Sequence, residues 1–359
     1  MARLARRDVV DPAKVQILHC IQRCVRRAFL CGDDPVTGQS FEHRRGWIRD
    51  RLEFLASNFG IDCLTYTVLS NHAHVVLRSR PDVVASWSDA EVARRWLQLS
   101  PKRRDQDGKP EKPHAPAIDM IVNDPDRLAE IRQRMSDVSW WMRYLAENIA
   151  RRSNSEDQCT GRFWEGRFSC QVLLDAASLL ACAMYVDLNP IRAAMAETPE
   201  TSLFTGAKDR IDDLIARTDG AQLSDHDWER EGAGHQSGWL SPIEIDQRQD
   251  ALLADPEATG RRASRKGFLS ISLTDYLGLL DWTGRLIRAN RRGSIPDHLA
   301  PILSRIGLDA DRWCEVVTRF GKLFKRAAGS TEHLADEAQR RGVRWLQGPG
   351  ARLLSVGST

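Results

Sequence analysis

The 359-residue chain is 42% hydrophobic and 28% charged, with a formal net charge of +3. That balance excludes a disordered or fibrous chain and supplies a core for two domains, or for one domain with a large appendage. No apolar run approaches the ~20 residues of a membrane-crossing helix, and so mild a charge leaves nucleic-acid binding to local arginine clusters.

The N-terminal segment MARLARRDVV is basic with no apolar stretch behind it, which argues against a secretory leader and predicts a cytoplasmic protein. The eight cysteines form no Cys-x-x-Cys pair, so they read as small buried hydrophobes rather than zinc-ribbon or redox ligands. Residues 14–24 (KVQILHCIQRC) alternate and are β-prone, predicting a first strand in which His19 is a satisfied buried histidine. After a Gly- and Pro-containing turn, Trp47, Leu52, Phe54, Leu55 and Phe59 recur at helical spacing up to Gly60. Residues 61–69 and 73–79 are β-rich and separated by a short turn, which predicts an antiparallel hairpin.

Beyond Pro81 a helix is expected over 89–99, but 100–117 is charged and rich in Pro and Lys, so about 80–125 reads as a flexible insertion. One long amphipathic helix is expected from Asp126 to about Arg152, capped by Asp124 or Asp126, with Trp140 and Trp141 in the core. A strand over 167–174 and an apolar helix capped by Asp175 complete a β-α-β-β-α-α-β-α order. That order predicts an α+β fold: a ferredoxin-like antiparallel sheet with helices packed on one face. Residues 201–270 read as a polar linker region, and 271–350 as a separate helical C-terminal region of three or four helices. Arginines cluster at Arg23, Arg26 and Arg27, at Arg151 and Arg152, and at Arg162 and Arg167; Arg291 and Arg292 with Lys322, Lys325 and Arg326 read as a solvated helical face.

Two features suggest chemistry. In SNHAHVVL, His72 and His74 are two apart, so on a strand both imidazoles leave one face and make half of a divalent-metal site. Tyr185 and Asn189 are four apart, so on a helix they share a face, with the amide oxygen available to a metal and the phenol free to attack. On spacing alone, a core tyrosine and a helix-ending Asn before Pro190 explain the second pair better. In GRFWEGRF, aromatic Phe163, Trp164 and Phe168 interleave with Arg162 and Arg167, a mix suited to stacking and phosphate contact, although core aromatics with solvated arginines fit equally well.

Together and in this order, SNHAHVVL, GRFWEGRF and YVDLNPIRA resemble the REP-associated tyrosine transposases, a branch of the HUH single-strand nucleases and transposases, over residues 13–196. The residue between the histidines is Ala73, where the family more often has a bulky hydrophobe. The resemblance implies a catalytic domain over 13–200, His72, His74 and Asn189 as ligands of Mg²⁺ or Mn²⁺, and Tyr185 as nucleophile. It further implies Arg162, Trp164, Arg167 and Arg192 as DNA contacts. The expected product is a 5′-phosphotyrosine with a free 3′-hydroxyl. The expected partner is single-stranded or hairpin-forming repeat DNA, met in the nucleoid by a monomer or a homodimer. The alternative is a domesticated protein that binds or regulates at DNA hairpins without cleaving them.

Overall fold

The computed structural model describes residues 10–25, 30–34, 36–101, 111–219, 237–245, 256–257, 260–289 and 310–348. Arg26, Arg27, Arg291 and Arg292 lie outside the described residues. The chain is mixed α+β, built on one five-stranded sheet in the order β2-β3-β1-β4-β5. Its strands are β1 (Ile17–Arg23), β2 (Ile61–Val68), β3 (His72–Ser79), β4 (Ser169–Leu173) and the short β5 (Ala327–Ala328). β1 is antiparallel to both β3 and β4, β2 and β3 form the expected hairpin, and β5 adds parallel to β4.

Cross-strand partners in an antiparallel pair share a face, so the register divides the sheet in two. On one side Leu18 and Cys20 with Leu77 and Val75 enter a core with α1 (Arg44–Asn58) and α6 (Val138–Glu156), including Leu52, Leu55, Trp141 and Leu145. On the other side lie His19, Ile21 and Arg23 with their partners Val76, His74 and His72, and this face meets α7 (Ala176–Asp187). Helices therefore cover both faces, not one. The reason lies in α7 itself: Leu179, Leu180, Cys182, Met184 and Val186 are all buried, and a helix apolar around its girth needs cover on two sides. Asp175 starts α7 as expected, its side chain accepting from Ser178 N–H at 2.7 Å.

Other expectations need correction. The single helix over 126–152 is two, α5 (Pro125–Arg134) and α6, because Asp137 caps a new start by accepting from Ser139 N–H. The stretch read as a flexible insertion carries α2 (Pro81–Ser86), α3 (Asp89–Leu99) and α4 (Ala115–Val122), and Val83, Val92, Ala93 and Ile121 are buried. Pro116 in the first turn of α4 starts that helix. Within 201–270, α9 (Gly206–Asp219) and buried Trp239, Leu240, Phe268 and Leu269 pack on the sheet side of the molecule, with Ser241 N–H donating to Cys63 O. Farther on, α10 (Leu273–Ala289), α11 (Ala310–Leu323) and α12 (Thr331–Arg340) follow a short α8 (Asn189–Arg192) and α9. Trp313, Val317 and Phe320 of α11 and Tyr276 and Leu280 of α10 share one buried cluster with α7. Among the described residues no helix is long and apolar enough to cross a membrane.

Candidate metal and nucleophile site

The β2–β3 turn that presents the histidines is held by residues that come after β1 in the chain. Cys24 N–H donates to Asn71 O at 3.0 Å, and Leu30 and Cys31 N–H donate to Ser70 O at 3.0 and 3.2 Å. His72 and His74 then leave the α7 face of β3 with ring centroids 4.9 Å apart. His72 Nδ1 lies 2.5 Å from Asn71 Oδ1. His74 Nδ1 lies 2.8 Å from His19 Nε2, and those two rings lie edge to edge and nearly coplanar, 14° apart with centroids at 5.1 Å. Among the described residues the other nitrogen of His74, Nε2, is buried with no hydrogen-bond partner, and so is Thr67 Oγ1, on the β2 residue paired with His74.

Tyr185 meets this pair from α7, its ring 5.6 Å from His74 and 6.0 Å from His19, edge-on to both. It is partly exposed, and the Arg192 guanidinium lies 4.6 Å over its ring. Arg192 also donates to Thr318 O of α11 at 2.6 Å. Phe320 covers Tyr185 at 5.8 Å, and a Cβ on Gly321 would come 3.2 Å from the phenol oxygen. Asn189 is not on the same helix as Tyr185: α7 ends at Asp187, and Asn189 opens α8. Its side chain is buried, with Nδ2 lacking a partner and no hydrogen bond to either histidine among the described residues.

Burial keeps the imidazoles neutral. It lowers His19 and His72 to about 4, the latter with help from Arg23 and His19. It lowers His74 well below the ordinary range, reinforced by His19, His72 and Arg192. A neutral imidazole with a free nitrogen is a metal ligand rather than a salt-bridge partner. Among the described residues no three His, Cys, Asp or Glu side chains group to hold a metal. The donors on offer are therefore two imidazoles and a neutral amide. The orphaned His74 Nε2 fits a borderline divalent cation, and so does the chemistry of that set. His19 offers no further donor, since Nε2 is taken by His74 and Nδ1 lies 3.4 Å from Gln171 Oε1.

The residues expected to contact DNA are divided. Arg192 stands at the tyrosine. Arg162 and Arg167 are exposed on the loop between α6 and β4, which meets the end of β1 where Cys24 pairs with Trp164, and they line a cleft of about 800 Å³ with Trp140 and Arg143 of α6. That cleft opens on the α6 side of the sheet, away from Tyr185. Trp164 is 9% exposed and its indole N–H donates to Ala146 O at 2.8 Å, so most of its ring belongs to the core. His19, Gln171, Phe320 and Gly321 were not expected at the site. The alternation of β1 puts His19 on the face of Arg23, a signal present in the sequence; α11 offers none.

No family model matches the chain, and no curated protein matches it by sequence. A solved structure of a REP-associated tyrosine transposase bound to a REP hairpin is similar at a TM-score of 0.33 and 9% identity, over 62% of this chain and 89% of that one. At that distance the fold and the site stand on this chain's own residues.

Proposed function

We propose that the chain is a metal-dependent single-strand DNA nuclease or transposase in which Tyr185 attacks a phosphodiester. The observation that carries this reading is the buried, unpartnered His74 Nε2 beside a partly exposed phenol. His72, His74 and Asn189 would hold Mg²⁺ or Mn²⁺, which when bound supplies Lewis acidity and a template for the scissile phosphate. Tyr185 forms the new phosphorus–oxygen bond as the bond to the 3′ oxygen breaks, leaving a 5′-phosphotyrosine and a 3′-hydroxyl that takes up a proton. Tyr185 is partly exposed, and its proton leaves to water as the bond forms. Arg192, 4.6 Å over the ring, favours the negative charge that develops on the phenol oxygen. One chain supplies imidazoles and phenol alike, so the reading asks for no second copy.

The exposed Arg162 and Arg167 beside the Trp140 cleft support a contact with single-stranded DNA. The motif resemblance extends that partner to hairpin-forming repeats in the cytoplasm and nucleoid. The order β2-β3-β1-β4 with antiparallel neighbours supports a ferredoxin-like sheet. A second reading, hairpin binding without cleavage, is favoured by one observation: Phe320 and Gly321 lie against the tyrosine.

The test is incubation of the full chain with labelled single-stranded hairpin DNA and Mn²⁺. A covalent adduct is expected from the wild type and none from Tyr185→Phe, with binding equal in both. Binding without an adduct in the wild type selects the second reading. An adduct that persists in Tyr185→Phe rejects the tyrosine, and absence of binding rejects both readings.

A further inference from the structure

The sheet register brings a third histidine and a glutamine into the same buried layer. His19 on β1 faces Val76 on β3 and Gln171 on β4, while the next residue on that face, Ile21, faces His74. The result is a line across three strands: Gln171 Oε1 to His19 Nδ1 at 3.4 Å, then His19 Nε2 to His74 Nδ1 at 2.8 Å. His19, His74 and Gln171 are all buried.

We infer that Gln171 and His19 are positioning residues that set the tautomer of His74, holding its proton on Nδ1 and leaving the Nε2 lone pair to face the tyrosine pocket. This rests on the metal-dependent reading above for its purpose, but the proton count is independent of it. An amide oxygen only accepts. With the Gln171 oxygen facing it, His19 Nδ1 carries the hydrogen, and a neutral ring has one, so His19 Nε2 is an acceptor. His74 Nδ1 is then the donor, and its Nε2 is bare. Without Gln171 nothing fixes which of the two rings donates to the other.

Two observations support this direction. Among the described residues His74 Nε2 has no partner, as expected of a lone pair kept for a ligand. At His72 a shorter version of the same device operates, with Asn71 Oδ1 2.5 Å from Nδ1. Both imidazoles thus present Nε2. Fixing the distal nitrogen of a ligand histidine is the general way proteins orient it and raise its basicity. Here the anchor is a neutral amide reached through a second imidazole.

The reverse state is specific. If the Gln171 amide turned its NH₂ toward His19, the hydrogens would shift along the line and His74 would carry N–H on Nε2, unable to bind a cation there. Long-range proton–nitrogen NMR of the metal-free full chain with ¹⁵N-histidine distinguishes the two, with signals assigned by single His substitutions. The Nδ1–H form is expected for His19 and His74; Nε2–H at His74 overturns the inference. Gln171→Leu should give mixed tautomers at His74 and weaken Mn²⁺ binding by roughly ten- to a hundredfold. Gln171→Glu, which keeps an acceptor, should restore the Nδ1–H form. An unchanged tautomer in Gln171→Leu also overturns it. If the tautomers are as stated but Mn²⁺ does not bind the wild type, the relay stands and the nuclease reading falls; if Mn²⁺ binds and adducts form with Nε2–H at His74, the relay falls alone.

Discussion

Two clusters of buried polar side chains lie toward opposite ends of the β2–β3 hairpin, one around Asp62 and one around His74, and they are treated in opposite ways. At the open end Asp62 is fully buried, accepting from Arg78 Nε at 2.9 Å, from Ser264 N–H at 2.9 Å and from Ser264 Oγ at 2.8 Å, with Arg80 Nη1 at 3.3 Å. Arg78 in turn donates to Gly267 O at 2.8 Å and Lys266 O at 2.7 Å. Gly267 is glycine because a Cβ there would lie 1.8 Å from Glu244 O. Toward the turn end Thr67 Oγ1 and His74 Nε2, with Gln171 Nε2 on β4 and Asn189 Nδ2 on α8, are buried without partners among the described residues. A satisfied buried network ties chain segments together, here residues 264–267 to the sheet. Orphaned polar atoms cost on the order of 1–3 kcal/mol each and persist where a ligand completes them. Trp239 Nε1, Arg210 Nη1 and Arg262 Nε are orphaned too, so the contrast is between the Asp62 network and the cluster around His74 rather than between whole ends of the hairpin.

The comparison is sharpened most by charge removal at the satisfied end. Asp62→Asn leaves the buried Arg78 guanidinium without its carboxylate, while Arg80 keeps Asp82 at 2.7 Å, and should cost about 3–5 kcal/mol in denaturant unfolding. Mn²⁺ affinity should not change, since the site lies at the other end of the strands. A matching loss of metal binding would break the division.

Asp209 of α9 gives a smaller effect with a defined pH window. It accepts from Tyr66 Oη at 3.0 Å and pairs with Arg49 at 3.3 Å. Burial outweighs these partners and pushes its carboxyl up to about 6 from the ordinary 3.8. Because the folded value is raised, the folded state holds a proton that the unfolded chain releases between about pH 4 and 6. The stabilisation is complete below about pH 4 and is lost as pH rises through about 6, amounting to at most ~3 kcal/mol. Stability measured from pH 4 to 7 should fall more steeply for the wild type than for Asp209→Asn.

At the unsatisfied end the sign should differ. Asn189→Leu keeps the branched outline of the side chain but adds bulk where it removes an orphaned amide, so the two effects oppose and stability should change by less than about 2 kcal/mol. Mn²⁺ binding, followed by the EPR signal of the free ion, should weaken at least about tenfold. A large loss of stability with unchanged metal binding would make Asn189 structural.

Much of this is legible in the sequence, and the rest fails for identifiable reasons. The hairpin and its paired histidines follow from period-two patterning, and α7 from Asp175 and an apolar run. The break between α5 and α6 escapes because Met135, Ser136 and Asp137 sit in a continuous amphipathic pattern, and only the Asp137 cap ends it. Helix α4 escapes because its start lies in a Pro- and Lys-rich stretch that reads as loop. His19 and Gln171 are visible as polar residues in strands, but their meeting depends on the register of β1 against β3 and β4, which spacing cannot supply. Trp164 reads as a stacking ring and is mostly core, because its indole N–H finds Ala146 O on a helix whose approach the loop sequence does not encode. The covering of Tyr185 by Phe320 joins segments far apart in the chain.

That cover sets the smallest effect and the finest test. Gly321 lies inside α11, where alanine is favoured over glycine by about 1 kcal/mol. A methyl there would meet the Tyr185 phenol oxygen at 3.2 Å, tighter than ordinary contact, so the ring or the helix must yield by a few tenths of an ångström. The two terms oppose, and Gly321→Ala should change stability by less than ~1 kcal/mol. Its effect on attack depends on where α11 sits when DNA is bound. If the helix stays, the methyl crowds the approach of the oxygen to phosphorus, and adduct formation should slow several-fold, roughly as small misplacements do, with Mn²⁺ and DNA binding unchanged. That slowing is the expected result, because Arg192 links Tyr185 to Thr318 O and holds helix and tyrosine together. An unchanged rate would mean that α11 leaves the tyrosine before the bond is broken, making the cover a gate rather than a wall of the site.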